Sequence, residues 1–165
     1  MAAEFLGLYP GGSLQQMQLS VTKSNRDRDR VSMFLWAGVR LQNRHSPVYT
    51  YYFDRAIPWP QHPEFGAFHT GELPYFFRNL QLMDRPWQPI DHQVADTASA
   101  YLKAFATNGD PNAHPLPHWP AVNPALPLTM EIGAKVQPMP LASKARFQFW
   151  LKYFHSSAAE NAPFF

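Results

Sequence analysis

Apolar residues recur along this chain at two spacings. DRDRVSMFLWAGVRLQN places Val31, Phe34, Leu35, Gly38 and Leu41 close to one face of a helix. Its early Asp27 and Asp29 suit a helix N-terminus, so RDRDR is expected to be a solvated start of alternating charge. The preceding SLQQMQLSVTKS is ambiguous and is compatible with a short helix of its own. PVYTYYFDR is dense in Val, Tyr, Thr and Phe with apolar residues on both faces. That pattern predicts a strand buried on both sides, as at the centre of an α/β sheet. AIPWPQHPEFGAFH, rich in proline and aromatics, follows as a long loop of the kind that usually carries function. TGELPYFFRN opens a short helix, with Thr70 as N-cap and Glu72 in the first turn. DHQVADTASAYLKAFATNGD is the clearest helix: Asp91 caps it, Val94, Ala98, Tyr101, Leu102 and Phe105 form its core stripe, and Asn108-Gly109 stops it. A proline-heavy connector leads to the short strand LTMEIG. The last element, LASKARFQFWLKYFHSS, is an amphipathic helix with Phe147, Trp150, Leu151 and Phe154 on one face. No internal repeat and no second domain boundary is visible.

Composition narrows the class. The 165 residues can bury a core of one ordinary domain. A hydrophobic share of 45% and an aromatic share of 15% exclude a disordered chain. The 17 prolines put much of the chain in loops and turns. A net charge of +2, without a basic run among stacking aromatics, excludes the signatures of nucleic-acid binding. With no cysteine, disulfides and thiol chemistry are out. No apolar run approaches a membrane span. The start, MAAEFLGLYPGG, lacks the basic n-region and apolar length of a signal peptide. A soluble protein is expected, cytoplasmic where Met1 is the natural start and secreted or periplasmic where a longer parent carries a signal peptide.

Candidate chemistry centres on FGAFHTGELPYFF. A loop leaving a strand can project a histidine over a sheet edge, where its ring takes a proton from a serine hydroxyl. An imidazole titrates near pH 6.5 and so can accept and return that proton under mild conditions. His69 has this setting, although a lone histidine among aromatics is more often structural. Trp59, Phe65 and Phe68 could line an acyl or alcohol pocket or simply hold the loop rigid. His114 and His118 stand four apart, but Pro115 and Pro117 forbid a helix between them, so a metal site is not expected there. Nor is zinc expected at His62 and His69. Trp119 and Trp150 are expected in the core.

The order VYTYYFDRA, IPWP and FGAFHTGELPYFF resembles the catalytic-histidine region of the type-B carboxylesterases, the family of the cholinesterases and bacterial para-nitrobenzyl esterases. Gly66, His69, Glu72, Leu73, Tyr75 and Phe77 fill the family pattern G-x-x-H-x-x-E-[LI]-x-[YF]-x-F. FATNGDPNAHPLPHWPAV, LTMEIG and RFQFW resemble the segments that follow in that family, and FLGLYP one that precedes. The resemblance implies an α/β-hydrolase fold, with His69 as the triad histidine, Glu72 as a carboxylate behind it, a small-molecule ester substrate and no cofactor or metal. With no cysteine, it points to the bacterial branch. The other parts are missing. None of the nine serines has glycine at both flanking positions of a G-x-S-x-G elbow. GGSLQ comes nearest, with Gln15 in place of the second glycine, and is expected to be a turn around Ser13. There is no glycine-rich oxyanion loop, and Glu4 is not placed as the orienting acid. Residues 1–165 are therefore expected to be one partial domain, the C-terminal third of an esterase, and inactive or very weak alone. The N-terminal part of the fold would be its partner, and an exposed sheet edge could pair two copies. The alternative is a non-catalytic truncated or interaction module on the same scaffold.

Overall fold

The computed structural model describes residues 1–43 and 46–156. The architecture is α/β: five α-helices and a three-stranded sheet among the described residues. The chain divides into two compact units, one built from Met1–Thr50, Ala121–Leu128 and the segment from Pro140 onward, the other from Tyr51–Pro120 and Thr129–Met139. No described helix is long and apolar enough to cross a membrane.

The first unit contains α1 (Ala2–Leu8), α2 (Leu14–Asn43) and α5 (Lys144–Phe154). α2 is one helix where two were expected, because nothing between Leu14 and Asn43 breaks it: there is no proline, and the one glycine, Gly38, is tolerated. GGSLQ is its start. Ser13 Oγ accepts the Gln16 N–H at 3.2 Å, while Gln16 Oε1 accepts the Gly12 N–H at 3.1 Å, a variant of the capping box. RDRDR therefore lies mid-helix, and Asp27 is fully buried instead of solvated. Its burial is tolerated because it is paired. Arg30 and Arg146 flank it at 2.6 and 3.1 Å, and the Tyr9 hydroxyl donates to it at 2.8 Å. Ser24, Asp27, Val31, Phe34 and Ala37 form the buried stripe of α2. Tyr9, Val31, Phe149 and Trp150 make one core cluster, with Phe147, Leu151 and Phe154 packed on it as the helical spacing of α5 predicts. Phe34, Ala37, Val122 and Leu141 make a second.

The second unit holds β1 (Tyr51–Phe53), α3 (Leu73–Phe76), α4 (Pro89–Asn108), β2 (Leu128–Ile132) and β3 (Val136–Pro140), the outer end residues of β2 and β3 passing into the first unit. β1 runs parallel to β2 with Tyr51 opposite Met130 and Phe53 opposite Ile132. It is shorter than PVYTYYFDR suggested and, among the described residues, stands at one end of the order β1-β2-β3, with Tyr51 43% exposed, so within this chain it is not buried on both sides as the pattern predicts. β3 was not foreseen, since Pro138 and Pro140 argue against a strand. Proline is compatible with the end position β3 occupies. α4 begins earlier than expected: Gln88 is its N-cap, and Asp91 sits in the first turn. Ala104 takes the core position expected for Phe105, which is 46% exposed. Gly109 ends α4 in the left-handed conformation at φ 73°.

Candidate active site

All residues of the candidate site lie in the second unit. The segment from Asp54 to Glu72 connects β1 to α3 and holds a single 3-10 turn at Pro63–Phe65. Within it His69 occupies the corner of a tight turn. The Gly71 N–H donates to the Phe68 carbonyl at 3.0 Å, so His69 and Thr70 are the two central residues. Thr70 has φ 68°, the sign that the third residue of a type II turn requires and one that glycine or asparagine normally supplies. A β-branched residue in that conformation is strained, and such strain concentrates at functional positions. The turn puts the His69 side chain in an exposed position. Among the described residues no side chain is hydrogen-bonded to its ring.

The turn is held from below. A side chain at Gly71 would meet the Phe68 carbonyl oxygen at 2.9 Å and Ile57 Cδ1 at 3.1 Å, so glycine is needed for this close approach. Buried Ile57 also donates its N–H to the Gly66 carbonyl at 3.4 Å, and Gly66 itself adopts φ 54°. A second turn follows, with the Leu73 N–H on the Thr70 carbonyl at 3.2 Å. Thr70 is therefore not the side-chain cap expected for α3. Glu72 is the N-cap residue, and the Thr70 hydroxyl donates to the His69 carbonyl instead.

The other named residues fall into two groups. Trp59, Phe65 and Phe68 gather with His62: Trp59 and Phe65 have centroids 5.3 Å apart, Phe65 and Phe68 6.3 Å, and His62 stacks on Phe65 at 5.2 Å. The Arg85 guanidinium lies 3.9 Å above the Trp59 ring. Among the described residues the Glu72 carboxylate makes no hydrogen bond to His69. Its charge acts on Tyr51, whose phenol is pushed up first by burial and then by that charge. Among the described residues no group of three His, Asp or Glu side chains is placed to hold a metal ion.

Four residues outside the expected site set, Arg55, Tyr75, Gln88 and Asp91, brace the segment. Arg55, just past β1, places Nε 2.6 Å from Asp91 Oδ1. Tyr75, in α3, donates its hydroxyl to the same oxygen at 2.8 Å. The Gln88 N–H donates to Asp91 Oδ2 at 2.8 Å. Burial opposes the charge on Asp91, but Arg55, the Gln88 N–H and Tyr75 together outweigh it, and its carboxyl is held below the ordinary range. Tyr75, buried and facing that carboxylate, is raised well above the ordinary phenol range. The sequence signal was available: a basic residue leaving a strand and an acid in the first turn of a helix. Asp91 thus does more than cap α4.

The profile of the Carboxylesterase family matches residues 20–150. Human cocaine esterase is 30% identical over 158 residues, covering 90% of this chain and 27% of that protein. Mouse acylcarnitine hydrolase is 29% identical over 117 residues, covering 67% of this chain and 20% of that protein. Among solved structures, a thermophilic PNB esterase superposes with a TM-score of 0.54 at 25% identity, covering 63% of this chain and 22% of that one. A Geobacillus stearothermophilus carboxylesterase reaches 0.60 at 22% identity over 90% of this chain and 31% of its own, a likeness of fold. The chain thus spans between 20% and 27% of the length of these curated relatives. With a profile running through both units and a relative matched over nine-tenths of its length, this chain belongs to the carboxylesterase family.

Proposed function

We propose that the chain is the histidine-bearing, C-terminal portion of a serine carboxylesterase, one partial domain over residues 1–165. His69 removes the proton of a serine hydroxyl as that oxygen attacks the ester carbonyl, and returns it to the leaving alcohol. Water then repeats the exchange to release the acid. The carrying observation is the His69 turn: an exposed imidazole next to a left-handed Thr70, on a segment fastened at both ends. Glu72 and the aromatic group of Trp59, Phe65 and Phe68 furnish a carboxylate and apolar surface on the same segment.

The nucleophile, the oxyanion-hole donors and the orienting acid belong to a preceding part of the same fold. Ser13 is engaged in capping α2. The apolar face of α2 supports a missing neighbour: Met33, Trp36 and Val39 are exposed and line a groove of about 780 Å³ with Leu35 and Phe154. The chain alone is then inactive toward carboxylic esters.

The test grafts this chain in place of the corresponding segment of a PNB esterase and follows p-nitrophenyl butyrate hydrolysis. His69→Ala is expected to lower kcat by about 10⁴-fold. A loss of only a few-fold would overturn the role of His69. A serine of the isolated chain labelled by a phosphonate, with a His69-dependent rate, would overturn the partial-domain reading.

A further inference from the structure

We propose that Asp91 is the positioning residue for His69, acting as a single clamp on both ends of the segment that carries it. This inference rests on the reading of His69 as the general base. Asp91 touches neither the His69 ring nor any surface a substrate could reach, since its side chain is fully buried. It acts through the backbone. Arg55 opens the segment and Tyr75 follows it in α3, and both bind one oxygen, Asp91 Oδ1, while Arg55 Nη2 also donates to Gln88 Oε1 at 3.2 Å. The other oxygen is fixed by the N-terminal turn of α4 through the Gln88 N–H. One carboxylate on a 20-residue helix therefore joins the two ends of a long loop to a rigid support. Inside the loop, Ile57 contacts Gly66 and packs under Gly71, which passes the restraint to the turn bearing His69. A general base held this way does not have to be ordered in each catalytic cycle.

The arrangement requires a carboxylate. An amide at residue 91 would either present its NH₂ to the Gln88 N–H, donor against donor, or turn it on Arg55 and Tyr75, which are donors too. Asp91→Asn should therefore release at least one end of the loop while removing almost no volume. Val94→Ala, in the buried stripe of the same helix, is the control that weakens packing without touching the clamp.

The measurement is amide hydrogen exchange by NMR in the purified chain, under conditions where each variant is folded. Asp91→Asn is expected to speed exchange at Gly71 and Ile57 by tenfold or more beyond any change in Val94→Ala. Arg55→Gln should do the same at Ile57, and the double variant should exchange there no faster than Arg55→Gln, which already cuts the ties of Arg55 to both Asp91 and Gln88. If Asp91→Asn does not fold, Arg55→Gln carries the comparison. Equal acceleration in Asp91→Asn and Val94→Ala, or additive effects of Arg55→Gln and Asp91→Asn, would overturn the clamp and leave Asp91 a general stabiliser. The reading of His69 fails separately. In the PNB esterase graft, a His69→Ala variant of undiminished kcat would remove the base while the exchange result stood. A graft dependent on His69, in which Asp91→Asn leaves kcat unchanged, would overturn the positioning role.

Discussion

Arg55 Nε and Asp91 Oδ1 lie 2.6 Å apart although 36 residues separate them. The pair is an ion bridge with its acidic side fully enclosed and its basic side partly wet. Such a bridge adds little over an apolar pair of the same shape, but removing one partner leaves a buried charge without compensation. Asp91→Ala is expected to destabilise the chain by about 3–5 kcal/mol. Arg55→Ala should cost a similar amount, and the double variant less than the two combined. Urea denaturation of the four proteins checks this; additive losses would mean that the two side chains stabilise the fold independently.

The same carboxylate gives a sign to the acid limb of stability. Because the Asp91 carboxyl is held below its ordinary value in the folded state, the unfolded chain binds its proton more readily. Its contribution is fully present above the unfolded value of about 3.9 and is lost as pH falls through the lower folded value. Between neutral pH and about pH 5 the contribution should be flat. Below the unfolded value of about 3.9 the wild-type chain should lose stability more steeply than Asp91→Asn. Thermal melts across that range test the difference in slope.

How far the sequence went follows from which forces are local. The loop that carries His69 was legible because its punctuation is local: Gly66, the prolines at 58, 60 and 63, and the Glu72-Leu73-Pro74 helix start all act over a few residues, whereas the left-handed turn at Thr70 was not. Apolar spacing found α4 and α5 for the same reason. Burial of Asp27 was not legible. RDRDR has the look of a solvated face until Arg146, distant in sequence, arrives beside it. The role of Asp91 was hidden the same way, since a first-turn acid is already explained by the helix N-terminus, and its tie to Arg55 exists only after folding. β3 was hidden by prolines that only an end strand tolerates.

Tyr9 bridges two buried groups in the first unit. Its hydroxyl donates to Asp27 Oδ2 at 2.8 Å and accepts from Trp150 Nε1 at 2.8 Å, across 141 residues of chain in the second case. Tyr9→Phe keeps the ring packing against Phe5 and Trp150 but leaves the indole N–H without that acceptor and Asp27 with its arginines alone. A loss of about 1–3 kcal/mol is expected, the cost of unsatisfied buried polar groups. Trp150 emission should shift in the folded state. A variant as stable as the parent would mean that water replaces the hydroxyl at no cost.

Gly133, just after β2, is fixed by a neighbour and not by its own backbone angle. A Cβ there would coincide with the Asp54 carboxylate and lie 3.3 Å from the Arg55 N–H. Asp54 is tied to the same place, its N–H donating to the Ile132 carbonyl at 3.2 Å at the end of the β1–β2 ladder. Gly133→Ala must therefore displace Asp54 or bend the turn after β2. Overpacking of this kind costs about 1–3 kcal/mol. Because Asp54 precedes Arg55, the displacement should also reach the Arg55–Asp91 bridge. Asp54→Ala removes the obstructing carboxylate, so Gly133→Ala should cost clearly less in that background. Urea denaturation of the double-variant cycle decides it: equal costs in both backgrounds would show that the methyl group meets something other than Asp54.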